Sequence, residues 1–151
     1  MFRLQRAQGD SGIRPYVLGG ATETFNKLGG ETGLGRRDYP LRGYPSGLAS
    51  LTGTQFGIGT VEWRIPLGLY YDGWFVPPVG LGRHSLSLFA DKGDAWNVGE
   101  KMQLKTGAGV EWNAETLIGY DLLHLGVTLG YAHGFDAGGE NRYYFRVGMP
   151  F

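Results

Sequence analysis

The strongest constraint on the fold is an alternation of apolar and polar residues that recurs in segment after segment. In the segment "NRYYFRVGMPF" one parity is apolar: Tyr143, Phe145, Val147, Met149 and Phe151. The other parity carries Arg142, Tyr144, Arg146 and Gly148. Because successive side chains of a β-strand point to opposite faces, this pattern predicts a strand with one apolar and one polar face.

Seven segments of this kind are separated by breaks rich in Gly, Asp or Asn. We predict strands at residues 2–8, 13–25, 54–67, 84–92, 102–113, 122–133 and 142–151. The 28 glycines and the 14% of aromatic residues suit many strands joined by small turns, and they argue against a helical bundle. The 151 residues are expected to form one unit, so residues 1–151 are treated as one domain.

The polar faces of these segments predict a membrane setting. They are rich in Gly, Thr and charged residues, and the opposite faces are long and apolar, which is typical of a transmembrane β-barrel with a polar lumen. A turn is predicted at 68–82, and its aromatic stretch "YYDGWFVPP", residues 70–78, would lie at the headgroup level. We therefore predict an all-β fold, an antiparallel transmembrane β-barrel. A soluble, half-exposed sheet explains the alternation equally well strand by strand.

Composition and motifs exclude several other classes. The formal net charge of zero provides no electrostatic footprint for nucleic acid. Without cysteine there are no disulfides or thiolate metal sites, and the three histidines are too scattered for metal-ligand spacing. "GDSG", residues 9–12, lacks the preceding histidine that a trypsin-like nucleophile requires. We expect no enzymatic activity, no cofactor and no metal.

A glycine-rich loop, predicted at 26–53, contains "LRGYPSG". Alternation places Glu62 and Asp91 on the polar, lumenal face, where a carboxylate needs a partner. An arginine fork binds carboxylates in bidentate fashion, so Arg42 is the expected partner. Gly43 would let the backbone approach the wall, and Tyr44 would pack on lumenal residues such as Phe89. The alternative is that Arg42 is solvated and that Glu62 pairs with Arg64 or a neighbouring strand.

Three motifs occur in order along the chain. They are Arg42-Gly43-Tyr44, then Glu62 with Arg64, then Phe89, Asp91 and Gly93. With an apolar strand that ends on Phe151, they resemble the outer-membrane insertase and two-partner secretion superfamily, the BamA, TamA and FhaC-type proteins. The resemblance covers about residues 12 to 151, and Tyr44 followed by Pro45 stands where the best-known insertases carry Phe.

The resemblance implies that this chain is the C-terminal part of a larger barrel in a bacterial outer membrane, seven or eight strands of roughly sixteen. It also implies that the loop at 26–53 is extracellular and folds into the lumen, with Arg42, Gly43, Tyr44, Glu62, Arg64, Phe89, Asp91 and Gly93 forming a loop lock. The last strand, with Tyr143, Phe145, Val147, Met149 and Phe151, would be the C-terminal barrel signal.

The function that follows from the resemblance is insertion of outer-membrane proteins or translocation of polypeptides. The expected partners are outer-membrane lipid, unfolded outer-membrane or secreted polypeptides, and upstream periplasmic domains or assembly-machinery partners. A small passive pore or adhesin barrel, and a soluble ligand-binding barrel, stay open as alternatives.

Overall fold

The computed structural model describes residues 2–8, 15–20, 37–74, 79–119 and 122–148. These residues form an all-β fold in which one 3-10 helix, Ala49–Leu51, is the single helical element of the described part. No helix in the described ranges is long and apolar enough to cross a bilayer.

A six-stranded antiparallel sheet makes up most of the molecule. Its strands, in spatial order, are β1 (Phe2–Gln8), β5 (Gln55–Trp74), β6 (Val79–Trp96), β7 (Lys105–Ile118), β8 (Leu123–Gly134) and β9 (Asn141–Gly148). From β5 to β9, strands that are consecutive in sequence are neighbours in space, so the sheet is an up-and-down meander. Strand β1 pairs with β5.

Described residues that lie between β1 and β5 in the sequence form a second, smaller sheet. It contains β2 (Tyr16–Leu18), β3 (Arg37–Tyr39) and β4 (Thr52–Gly53), with β2 parallel to β3 and antiparallel to β4. The small sheet packs against one face of β5 and β6, through a buried apolar cluster of Tyr16, Leu18, Leu41, Tyr44, Leu51, Phe56, Ile58 and Ala95. We call the covered face of the large sheet its inward face and the opposite face its outward face.

The two faces follow the predicted alternation. In β5, Val61 and Trp63 point outward with 55% and 66% of their surface exposed, whereas Phe56 and Ile58 are buried on the inward face. In β9, Tyr143 and Phe145 are exposed and Tyr144 is buried. The outward face is therefore an exposed apolar surface, and the inward face carries the buried polar residues.

Several predictions about the elements were wrong. Within the described residues the large sheet has six strands, not seven or eight, and it is open, with β1 and β9 at its edges. The predicted strand 13–25 contributes Tyr16–Leu18 to the small sheet instead, because these apolar residues are buried against the inward face. The predicted turn at 68–82 is largely strand, since β5 runs to Trp74 and β6 starts at Val79.

The predicted aromatic stretch and chain end are only partly described. The side chains of residues 70–78 lie outside the described part, although β5 passes through Trp74. Strand β9 ends at Gly148. Met149 and Phe151, which belong to the predicted C-terminal barrel signal, lie outside the described residues.

Candidate functional site

The centre of the inward face holds a buried ion pair between the loop and the sheet. The Nε and Nη2 atoms of Arg42 donate to the two carboxylate oxygens of Asp91, each at 2.7 Å. The side chain of Arg42 is 10% exposed and that of Asp91 is 1% exposed. The pair has the parallel, two-bond geometry that makes arginine–carboxylate contacts both strong and directional.

The backbone around Arg42 lies close to the sheet, and glycines without a Cβ allow this approach. The N–H of Arg42 donates to Asp91 at 3.3 Å. A Cβ on Gly107 of β7 would overlap the carbonyl oxygen of Arg42. Gly43 adopts φ +93°, and a Cβ there would also meet the backbone of His133 and Gly134 in β8. This left-handed turn against two strands requires glycine at position 43.

A second carboxylate and an aromatic ring complete the surroundings of Arg42. Nη1 of Arg42 donates to Oε1 of Glu111 at 3.0 Å, and the guanidinium lies 3.4 Å above the ring centroid of Phe89. Burial alone would lower the pKa of Arg42, but the hydrogen bonds and charges of Asp91 and Glu111 outweigh it and raise the pKa above its ordinary value. The guanidinium is therefore a fixed cation in the middle of the inward face.

Glu111 in turn connects this cation to the last described strand. Besides Arg42, Oε1 of Glu111 accepts from the hydroxyl of Tyr144 at 2.6 Å, and it forms an ion pair with Nη2 of Arg146 at 2.8 Å. We call the five residues Arg42, Asp91, Glu111, Tyr144 and Arg146 the arginine cluster. It contains two cations and two carboxylates, so the buried charges are balanced.

Tyr44 makes a separate set of contacts at the end of β7. Its hydroxyl donates to the carbonyl oxygen of Thr106 at 2.9 Å and accepts from the backbone N–H of Asp136 at 3.1 Å. The Asp136 carboxylate accepts from the N–H of Thr106 at 2.6 Å, and the N–H of Glu140 donates to the carbonyl of Gly43 at 3.0 Å. We call these contacts, between residues 43–44, Thr106 and the β8–β9 loop, the tyrosine clasp.

Burial also raises the pKa of the Tyr44 hydroxyl above its ordinary value. The phenol therefore stays protonated and keeps its donor role towards Thr106.

The remaining residues of the predicted loop lock lie elsewhere. Oε1 of Glu62 forms an ion pair with Nη2 of Arg64 at 3.1 Å, and the side chain of Arg64 is 49% exposed. The described carboxylate partners of Arg42 are Asp91 and Glu111, so the predicted Arg42–Glu62 pairing is replaced by a pairing with β7. Gly93 lies inward on β6, where a Cβ would press on the backbone of Gly57.

The predicted packing of Tyr44 on Phe89 was also wrong. Tyr44 belongs to the buried cluster of the small sheet, whereas Phe89 packs with Ala132 and Tyr144. Arg42 is the residue that stacks on Phe89.

Sequence reasoning missed Glu111, Thr106, Asp136, Tyr144 and Arg146. A signal existed for Glu111, which follows Gly107 and Gly109 at two-residue spacing and so shares their inward face. No comparable signal exists for Asp136, because a residue in a loop has no alternation from which to assign a face.

The described residues do not form a metal site. Those residues contain no group of three or more His, Cys, Asp or Glu side chains placed to hold a metal ion. No protein-family model, curated protein or solved structure matches this sequence. The geometry of the arginine cluster and the two different faces of the sheet are therefore the features that bear on function.

Proposed function

We propose that this chain is the C-terminal part of an outer-membrane β-barrel of the BamA/TamA-like superfamily, which inserts outer-membrane proteins or translocates polypeptides. The observation that carries the proposal is the bidentate Arg42–Asp91 pair, which holds an infolded loop on the inward face of a sheet whose outward face is apolar.

The division of the sheet into two faces supports a membrane setting. Large apolar side chains are exposed on the outward face along several strands: Val61, Trp63, Leu88, Leu129, Tyr143 and Phe145. Soluble monomers rarely expose contiguous apolar surface of this extent, whereas lipid covers it without cost. The inward face, with its arginine cluster, would then form part of the lumen wall.

The open sheet favours a larger barrel over a small closed one. Strands β1 and β9 each have a neighbour on one side within the described residues. In a bilayer the free edge of a sheet must be paired, because unsatisfied N–H and C=O groups there cost several kcal/mol each. Further strands of the same barrel would pair with β1, and the edge at β9 would form one side of a seam at which incoming strands can pair.

The role proposed for the loop is that of a lock inside the lumen. Removing one partner of a buried ion pair costs about 3–5 kcal/mol, because the other charge is left without compensation. The Arg42–Asp91 pair therefore keeps residues 37–53 on the inward face, where they narrow the lumen and brace β6 and β7. No bond is made or broken in this function, and the substrates are unfolded polypeptides.

The test is depletion and complementation in the source cell. Depletion of the native chain is expected to lower the level of folded outer-membrane proteins if it is an insertase, or of secreted polypeptide if it is a transporter. Arg42→Ala should fail to complement, and Arg64→Ala, which removes a half-exposed arginine from the same inward face, should complement. Normal levels of both protein classes after depletion would contradict the proposal and favour a passive pore or adhesin.

A further inference from the structure

Glu111 joins two parts of the chain that belong to different elements. Its Oε1 atom accepts from Arg42 of the infolded loop and from Tyr144 of β9, and it forms an ion pair with Arg146 of the same strand. The residue is 4% exposed, and its carboxylate has little access to water that could replace a lost donor.

The contact from β9 crosses an intervening strand. Strand β9 pairs with β8, and β8 pairs with β7, which carries Glu111. Tyr144 reaches across because the residue beneath its ring is Gly130: the two are register partners, and a Cβ at position 130 would overlap the ring. Glycine is therefore required at position 130 for the hydroxyl of Tyr144 to lie 2.6 Å from Glu111.

We infer that Glu111 is a positioning residue that couples the loop arginine to the edge strand β9. A shift of β9 withdraws the hydroxyl of Tyr144 and the charge of Arg146 from the oxygen that Arg42 also uses, and a shift of the loop withdraws Arg42. Because such coupling is reciprocal, the factor by which release of the edge strand weakens the hold on the loop equals the factor by which release of the loop weakens the hold on the edge strand. This inference deepens the proposed function and rests on it for its consequence, which is that pairing at the β9 edge releases the loop lock.

The experiment is hydrogen exchange on the intact native chain, folded in detergent. Tyr144→Phe removes one hydroxyl from Glu111, and it is expected to speed exchange in the loop peptide 41–47 at least about fivefold, the lower end of measured coupling between sites. The matched control is Tyr143→Phe, which removes a hydroxyl from the neighbouring, 83% exposed outward residue and should leave the loop unchanged.

The reverse direction uses the loop. Arg42→Lys is expected to speed exchange in the β9 peptide 141–148 by a similar factor, whereas Arg64→Lys should not. In the double variant, Arg42→Lys with Tyr144→Phe, the effects should be clearly less than additive, because both act through one carboxylate. If Tyr144→Phe does not fold, Arg146→Lys replaces it, since Arg146 forms an ion pair with the same oxygen.

Additive effects, or a loop peptide that exchanges within about twofold of the parent in both Tyr144→Phe and Arg146→Lys, would overturn the coupling. The outcome is independent of transport. A chain that shows the coupling but whose depletion changes no outer-membrane or secreted protein keeps the inference about Glu111 and loses the proposed function. If depletion lowers outer-membrane or secreted protein but the coupling is absent, the proposed function stands and the inference about Glu111 fails.

Discussion

At the scale of single residues, the arginine cluster shows how this fold tolerates buried charge. Two arginines face two carboxylates, and each carboxylate accepts at least two hydrogen bonds from charged or polar donors. Burying an ion pair gains little stability by itself, but breaking one is costly. The cluster therefore acts through its geometry: it specifies where the loop lies more than it stabilises the fold.

The fork of Arg42 can be tested by a substitution that keeps the charge. Arg42→Lys leaves one ammonium in place of three side-chain hydrogen bonds to two carboxylates. We expect the free energy of unfolding, measured in urea, to fall by about 1.5–3 kcal/mol, the range for hydrogen bonds to charged groups. Arg64→Lys, at the half-exposed pair with Glu62, should change it by less than about 1 kcal/mol. Equal effects at the two sites would contradict the lock.

Gly107 offers an independent test of the loop position. In Gly107→Ala the new Cβ would overlap the carbonyl oxygen of Arg42 and push the loop tip off β7. Overpacking of this kind costs about 1–3 kcal/mol, so trypsin should cleave after Arg42 roughly ten times faster than in the parent. Gly148→Ala, where a Cβ meets nothing within 4 Å, should leave the cleavage rate unchanged. The same rate in all three proteins would show that the tip does not lie against Gly107.

The sequence predicts some of this site and not the rest, for a physical reason. Alternation assigns a face, so it correctly places Asp91 and Glu62 inward. It does not say which inward carboxylate a loop reaches, because that depends on strand register and on the space left by Gly107. The choice of Glu111 over Glu62 is therefore a property of the packed sheet.

At the scale of elements, the infolded loop is held at two points by different strands. The arginine cluster ties it to β6, β7 and β9, and the tyrosine clasp ties it to the β8–β9 loop. Since residues 135–140 contribute backbone as well as side-chain contacts, the β8–β9 loop and the infolded loop order each other.

The clasp predicts a specific effect of one hydroxyl. Tyr44→Phe leaves the ring in its apolar cluster and removes the contacts to Thr106 and Asp136. We expect a loss of about 1–2 kcal/mol in the free energy of unfolding and faster hydrogen exchange at residues 135–140.

The matched control for this hydroxyl is Tyr131→Phe. Its hydroxyl bonds the exposed Asn141 at 2.8 Å, and we expect a loss below about 0.5 kcal/mol. Unchanged exchange at 135–140 in Tyr44→Phe would show that the clasp does not hold the β8–β9 loop.

Element boundaries were predicted best where one face is exposed. Residues 122–133 and 142–151 were predicted as strands, and the structure has Leu123–Gly134 and Asn141–Gly148, with 149–151 outside the described part. The prediction failed at 13–25 because a run such as Tyr16–Leu18 is apolar on both faces when it is packed between a loop and a sheet. It also failed at 68–82, where β5 and β6 contain register shifts after Pro66, Leu69 and Leu81 that interrupt the alternation.

At the scale of the whole molecule, the proposed function requires that the outward face of the large sheet contacts lipid. Leu129 lies in the middle of β8 on this face and is 48% exposed. Leu129→Arg should then cost about 2–4 kcal/mol of folding free energy in bilayers, the penalty for a charge near the midplane on the lipid face of a barrel.

Leu104→Arg is the control for that substitution. Leu104 is 43% exposed in the segment between β6 and β7, outside the large sheet, and the change there should stay within about 0.5 kcal/mol. If Leu129 faced water, Leu129→Arg would change the folding free energy as little as Leu104→Arg does. That result would contradict the membrane setting.

Whether the outward face meets lipid can be measured directly with spin labels, because these 151 residues contain no cysteine. Single variants Thr60→Cys, Val61→Cys, Glu62→Cys and Trp63→Cys would each carry a nitroxide label in chains reconstituted into lipid vesicles. Paramagnetic broadening by oxygen, which concentrates in hydrocarbon, is compared with broadening by a water-soluble nickel chelate. We predict high oxygen and low nickel accessibility at positions 61 and 63 and the reverse trend at 60 and 62. Nickel accessibility at 61 and 63 equal to that of a water-exposed site would contradict the account.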